Sequence, residues 1–428
     1  MGLIVCYLSY DGLTDPLGQS QILPYLIGLS KKGHEISILS FEKERPFTRL
    51  EHHIRKVCNE ARINWHPLPY TKKPPVISTL LDLKKLESEL RQWHGIKNFD
   101  LLHCRSYLTS LIALKLKREL GLPFIFDMRG FYADERVDGK IWNLSNPLYQ
   151  KIFDYFKIKE RDFLEEADAI VSLTHEGKKE IENWYVEKEL YGGGEFWYNY
   201  DKALKIQSKI TVIPCASDLV HFDYKRISDN KKRWLSAVHG IDPDMEYLGY
   251  VGSLGTWYMA KEMLLLYKVL LDENPTLRFL ILSHDDLGFL RDQSEELGIP
   301  QSYLIQVAAQ RKEVPALMSL MSASVFFILP VFSKKASSPT KQGELMAMGV
   351  PIICNAGVGD SAAIVEKYGS GYVIDRCDEE NFKEVSQRWE EIKSIPKEQI
   401  RLGAEAYFAL DKGVEAYHEI YQKLLTTA

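Results

Sequence analysis

The chain of 428 residues holds only six cysteines, and no two of them stand in CxxC spacing. Neither a structural zinc site nor a thioredoxin-type redox centre is expected from Cys6, Cys58, Cys104, Cys215, Cys354 and Cys377. Several lie in apolar runs and read as reduced, buried hydrophobes of a cytoplasmic protein. The eleven histidines contain no HExxH. No apolar run approaches the roughly 18 residues that span a bilayer. The run Gly2–Leu8 lacks a basic leader and a small-residue cleavage site. Cys6 stands where a myristoylation signal takes Ser or Thr, so the run reads as a first buried strand. A net charge of -5 gives no basis for a nucleic-acid partner.

What is present is ordinary globular material, with 45% hydrophobic, 26% charged and 11% aromatic residues. The length suits two domains. Charge is uneven: residues 1–150 carry 21 Lys/Arg against 16 Asp/Glu, and the remainder 33 against 43. A basic first half suits an anionic membrane or an anionic substrate; ordinary solvated helix faces are the other reading.

Apolar strands alternate with helical patterns. Strands are expected at Gly2–Leu8, His34–Phe41, Asp100–Cys104, Pro123–Asp127, Asp168–Leu173 and Ile210–Pro214, with a helix over Gln19–Lys32. The pattern restarts with strands at Tyr247–Gly252, Leu277–Ser283, Tyr303–Val307, Ser324–Leu329 and Pro351–Cys354. Alternating βα units predict parallel sheets covered on both faces. The fold class is thus α/β, with two doubly wound domains: 1–216, a linker at 217–245, and 246–409. The segment Tyr185–Ser208, with Gly192-Gly193-Gly194 and several aromatics, fits neither half and reads as an insertion, either a lid or acceptor loop or a packed surface excursion.

Ligands of open parallel sheets bind beyond the carboxyl ends of the strands. After the first strand, Gly18 is expected immediately before a helix, where free N–H groups can meet a phosphate; a simple turn glycine is the other reading. After Phe126, Asp127, Arg129, Asp134, Glu135 and Arg136 are expected to point into an inter-domain crevice and orient a sugar hydroxyl or take its proton. A structural ion pair is the alternative. Gly252, Ser253 and Thr256 form a second glycine loop suited to an anion, expected to face the first across the cleft. In Ser338-Pro339-Thr340-Lys341, Ser338 or Thr340 is expected to cap a helix. Lys341 then sits in the first turn, where a cation opposes the helix dipole unless an anion is bound. Glu344 follows on the same face, spaced to reach a ribose diol.

Pro339-Thr340-Lys341, Glu344, Ala347, Gly349-Val350-Pro351-Ile352-Ile353 and Gly357-Val358-Gly359-Asp360 resemble the C-terminal signature of the family 4 (group 1) retaining glycosyltransferases with the GT-B fold. Lys32-Gly33-His34-Glu35-Ile36 resembles that family's GHEV strand start. Val212-Ile213-Pro214-Cys215, Asp218 and Phe222 resemble its VIPxGxDxxxF segment. The resemblance implies two Rossmann-like domains facing across a cleft, with the donor bound mainly by the second. It also implies a C-terminal helix, about 410–428, crossing back to the first. Three positions depart from the pattern. Ala336 stands for the first of two glutamates, Ser253 for an arginine, and Arg129 for the catalytic-loop histidine. Lys341, Lys334, Lys335, Arg311 and Arg105 are the substitute cations, Lys341 first.

The implied activity is transfer of a sugar from a nucleoside-diphosphate sugar to a glycan or lipid-linked acceptor in bacterial polysaccharide or glycolipid synthesis. It is retaining, needs neither cofactor nor metal, and is expected at the inner face of the membrane. Lys341 and helix N-termini would stabilise the leaving diphosphate. Glu344 would bind ribose, and Arg129 and Asp127 would position sugar or acceptor. Domain closure would exclude water. Asp242-Pro243-Asp244 is DxD-like, but it falls in the expected linker rather than after a strand. Two other classes stay open: a catalytically silent subunit that binds a partner, and a nucleotide-sugar epimerase.

Overall fold

The computed structural model describes residues 2–186 and 200–427, in two compact units. The first contains Met1–Pro214 together with Leu410–Ala428, and the second Cys215–Ala409. Most of the insertion read over Tyr185–Ser208 lies outside the described residues; its end forms part of the helix Tyr200–Lys209.

The first unit is built on seven strands: β1 (Ile4–Ser9), β2 (Glu35–Glu42), β3 (Asn64–Pro69), β4 (Leu101–Arg105), β5 (Phe124–Asp127), β6 (Ala169–Ser172) and β7 (Ile210–Val212). Their order is β3-β2-β1-β4-β5-β6-β7, with every pairing parallel. β1, β4 and β5 are almost wholly buried, as a sheet with helices on both faces requires. The strand order reverses between β1 and β4, so the loops after these two strands diverge and leave a ligand-binding position.

The second unit has six parallel strands: β8 (Tyr247–Val251), β9 (Arg278–Leu282), β10 (Leu304–Val307), β11 (Ala323–Phe326), β12 (Ile352–Asn355) and β13 (Gly371–Ile374). They run in the order β10-β9-β8-β11-β12-β13, and the reversal falls between β8 and β11.

Residues 217–245, expected as a linker, belong to the second unit. Phe222, Leu235 and Ile241 pack into its core, and Asp229–His239 is a helix capped by Ser228. Asp218 accepts the N–H groups of Val220 and His221, turning the chain so that Phe222 enters that core. The expected helix Gln19–Lys32 is two helices, Pro16–Gln21 and Leu23–Lys31, because Pro24 offers no N–H to carry the ladder across.

The C-terminal helix Leu410–Thr427 packs on the first unit. His34 explains part of this docking. Its Nδ1 accepts the Leu3 N–H at 3.1 Å, so its Nε2 carries the proton and donates to His418 Nδ1 at 2.9 Å.

In the second unit, buried Arg401 donates to the carbonyls of Phe222, Ala347 and Leu219 at 3.0, 2.8 and 3.1 Å. It thereby joins the 217–226 segment to the carboxyl end of the helix Thr340–Ala347. Arg401→Met leaves those buried carbonyls without a donor, and a loss of about 2–4 kcal/mol is expected in chemical denaturation. A loss below about 0.5 kcal/mol, the range of neutral surface changes, would contradict this role.

Candidate active site

In the second unit the site is built around Lys341. The helix Thr340–Ala347 follows β11 through a short 3-10 turn, so the first-turn lysine lies beyond the carboxyl end of β8. Lys341 is only 6% exposed. Its Nζ lies 3.7 Å from the Tyr258 ring centroid and 4.2 Å from that of Tyr250. Among the described residues its single hydrogen bond is to Tyr250 Oη, at 3.0 Å. The Tyr250 hydroxyl in turn donates to the Ser253 carbonyl. When protonated, this amine has three donors and meets one, and among the described residues no carboxylate stands within ion-pair distance. Burial holds Lys341 well below its ordinary value, with Glu344 opposing the shift.

Gly252 makes this approach possible. It sits at φ +116°, where side chains are strained, and an added Cβ would lie 3.0 Å from Lys341 Nζ. Ser253 and Thr256 are exposed beside it. Within this loop the Leu254 N–H donates to Asp285 Oδ2 at 2.6 Å. The loop also does not open a helix directly; the next helix, Ala260–Glu273, is capped at Met259.

Nor do Ser338 and Thr340 cap the lysine's helix. Pro339 holds the N-cap with no side-chain bond, and the Ser338 hydroxyl accepts the Cys215 N–H at 3.2 Å. Lys334, next in line among the substitute cations, is buried on the Trp257 ring at 3.6 Å. Arg311 lies 3.8 Å from Glu344 Oε1, so it serves that carboxylate.

Glu344 is mostly buried, and burial raises its carboxyl from the ordinary 4.5 to about 7, with Arg311 and Lys341 opposing.

In the first unit Asp127, Arg105 and Arg129 converge at the reversal between β1 and β4. Asp127 ends β5 but does not point outward as expected. It is fully buried, and its Oδ2 accepts the Tyr417 hydroxyl of the C-terminal helix at 3.0 Å. His103 Nε2 lies 3.7 Å from the same oxygen, and Arg129 Nη1 lies 3.7 Å from Oδ1. Burial pushes the Asp127 carboxyl up, but Arg129, His103 and Arg105 together hold it below its ordinary value. His103 is held low by burial against the pull of Asp127, so it is neutral. Arg129 sits at φ +59°. Arg105 is buried, and its Nε donates to Asp11 Oδ2 at 3.0 Å. Among the described residues the buried Arg105 Nη1, His103 Nε2 and Asp127 Oδ1 have no hydrogen-bond partner. Buried atoms of this kind are normally satisfied, so the cluster is set to receive a polar ligand or water.

Gly18 does not join this cluster. It lies inside the helix Pro16–Gln21, where an added Cβ would stand 2.0 Å from the Gly12 carbonyl oxygen. It is a close-packing glycine. Ahead of that helix the Glu42 carboxylate accepts the Leu13 and Thr14 N–H groups at 2.8 and 3.1 Å and the Thr14 hydroxyl at 2.6 Å.

Sequence reasoning missed Tyr250, Tyr258, His103 and Tyr417. Tyr250 had a local signal, standing two residues before Gly252 and therefore on the same face of β8's end. Tyr417 had none, being 290 residues from its partner.

Two family models match, one described as glycosyl transferases group 1 over residues 231–407 and one as glycosyltransferase family 4 over residues 25–189. The chain belongs to the group 1, family 4 glycosyltransferases. Solved structures agree on the fold. Sucrose-phosphate synthase from Thermosynechococcus elongatus is similar at TM-score 0.70 and 14% identity, covering 99% of this chain and 100% of its own. The Anabaena protein HepE, in complex with UDP and glucose, gives 0.66 and 11%, covering 97% and 98%. WaaG, a glycosyltransferase of lipopolysaccharide biosynthesis, gives 0.65 and 14%, covering 96% and 99%. No curated protein sequence matches the chain. The two units are therefore the Rossmann-like domains of a GT-B glycosyltransferase. Among the described residues no cluster of three or more metal-ligating side chains occurs, and no helix is long and apolar enough to cross a membrane.

The Glu344 geometry sets a pH dependence. Between its ordinary 4.5 and about 7 the folded carboxyl keeps a proton that the unfolded chain has released. Stability should therefore fall as pH rises through that window, by an amount on the order of 3 kcal/mol. Glu344→Gln should flatten this part of the unfolding-temperature profile; an unchanged slope in the variant would contradict the assignment.

Proposed function

We propose that this glycosyltransferase is a retaining enzyme that takes a sugar from a nucleoside-diphosphate sugar and passes it to a glycan or lipid-linked acceptor, without a metal. The observation that carries the reading is the buried Lys341 ammonium with two unmet donors at the amino end of a helix. A diphosphate beside it satisfies those donors, and the helix end adds its partial positive charge. Charge grows on the leaving phosphate as the glycosidic bond breaks, so a fixed cation in a dry site lowers the barrier. Tyr250 and Tyr258 hold the ammonium in place before the donor arrives, which removes reorganisation from the reacting step.

Glu344 takes the ribose hydroxyls as acceptor or donor according to its protonation. Arg105, Arg129 and Asp127 position the sugar or the acceptor hydroxyl, with Tyr417 holding the Asp127 carboxylate. A phosphate oxygen of the leaving group takes the acceptor proton, as the family resemblance implies, so no protein nucleophile is needed. The Anabaena neighbour solved with UDP and glucose supports a nucleoside-diphosphate sugar as donor. The WaaG likeness and the basic first half support a lipid-linked acceptor of bacterial glycan synthesis at the cytoplasmic face of a membrane.

Calorimetric titration with UDP and with GDP tests the donor site. Lys341→Met should lower the affinity of the bound nucleotide on the order of 100-fold and leave the matching nucleoside unaffected. Equal affinity in both proteins would remove Lys341 from the donor site. With an activated sugar and acceptor extract, a glycosylated product of unchanged anomeric configuration is expected. Sugar isomerisation without transfer would instead identify an epimerase.

A further inference from the structure

The helix Ile77–Lys97 of the first unit carries apolar side chains on two faces. Leu83, Leu86 and Leu90 are buried against the unit. On the other side Ile77, Leu80 and Leu81, with Val76 just before them, are between 38% and 56% exposed. Positions 77, 80 and 81 share one helix face. Single exposed leucines need no explanation, but four large apolar residues within six positions form a contiguous patch.

Four lysines bracket that patch. Lys72 and Lys73 precede it and Lys84 and Lys85 follow on the next turn, and none is ion-paired among the described residues. The acidic residue within this span, Asp82, is buried and turned inward, accepting the Tyr10 hydroxyl at 2.8 Å and the Thr71 N–H at 3.2 Å. The exposed face is thus apolar at its centre and cationic at its rim, and residues 72–85 add no exposed carboxylate to it.

We propose that this patch docks the protein on an anionic membrane surface. Apolar side chains enter the boundary between headgroups and acyl chains, and the ammonium groups meet lipid phosphates. A second copy of the chain fits less well, because a two-fold contact would set the same lysines against each other. The position is also apt. Asp82 ties the patch to Tyr10, and the next residue, Asp11, holds Arg105. Resting on the transfer reading above, this places the bilayer on the side of the first unit from which a lipid-linked acceptor reaches the Arg105 cluster.

Co-sedimentation of the full chain with phosphatidylcholine vesicles, alone or mixed with phosphatidylglycerol, tests the proposal. The protein should pellet with the mixed vesicles and stay in solution with phosphatidylcholine alone. Combined Ile77→Ser, Leu80→Ser and Leu81→Ser replacements should weaken binding on the order of tenfold or more. Replacing Lys72, Lys73, Lys84 and Lys85 by Gln should weaken it roughly fivefold per lysine. The lysine variant removes no packed side chain, so it keeps the test sound should the serine variant unfold. Equal partition onto both vesicles, unchanged binding by the lysine variant, or a dimer in solution that the serine variant converts to monomer would each overturn the proposal. No nucleotide sugar or acceptor is present in this assay, so its failure and the failure of the transfer reading are separate results.

Discussion

A lysine ammonium buried between two tyrosine rings, with one hydrogen bond, is the constraint around which the second unit is arranged. Desolvating a cation costs several kcal/mol unless a counter-charge or a full set of acceptors replaces the lost water. Here the ring faces and one hydroxyl replace only part of it. Gly252 suits this position because it adopts φ +116° and an added Cβ would lie 3.0 Å from Lys341 Nζ. Lys334 on Trp257 repeats the arrangement a few residues away. Trp257 and Tyr258 come from the stretch between β8 and the following helix, and Tyr250 from β8 itself, so adjoining residues position two cations.

The first unit solves a different problem. Its cluster sets the Arg105 and Arg129 guanidinium groups around the buried Asp127 carboxylate, with Asp11 pairing Arg105 at its edge. The Asp127 carboxylate is fixed from the far end of the chain, by Tyr417 on the C-terminal helix. His103 is fixed from the same helix, through the Tyr421 hydroxyl at 2.8 Å. The helix is docked in turn by His34, by the Lys32–Glu415 ion pair and by close packing on the helix Leu23–Lys31. The His34 position, met in the sequence only as part of a strand-start pattern, thus acquires a physical reason. It passes a hydrogen bond from the backbone of β1's entry to the last helix.

Much of the fold was legible in the sequence because parallel strands buried on both faces leave near-continuous apolar runs. β1, β4, β5, β8, β9 and β12 all read this way. β3 did not, because Pro67 and Pro69 interrupt it; an edge strand tolerates prolines that an inner strand would reject. The helix Asp229–His239 was hidden by its charge and read as part of a linker. In the site, Lys341 and Glu344 were legible because a lysine in a first helical turn violates the dipole rule and so calls for an explanation. The placements of Gly18 and Asp127 were not legible, for one shared reason. A sequence shows that a polar or glycine residue follows a strand, but not which partners the rest of the chain supplies. Glu42 accepts the Leu13 and Thr14 amides ahead of Gly18, and Tyr417 donates to one oxygen of the Asp127 carboxylate.

On the proposed function, Lys341 takes the diphosphate of a nucleotide without a metal. Thermal unfolding against UDP, GDP, ADP and CMP, each with and without EDTA, tests this most directly. A ligand at about 100 times its dissociation constant adds about 2.7 kcal/mol to stability, a rise on the order of 5 °C for units of this size. Such a rise is expected with one of the nucleoside diphosphates, the same with and without EDTA. No rise with any of them, or a rise that EDTA abolishes, would contradict it.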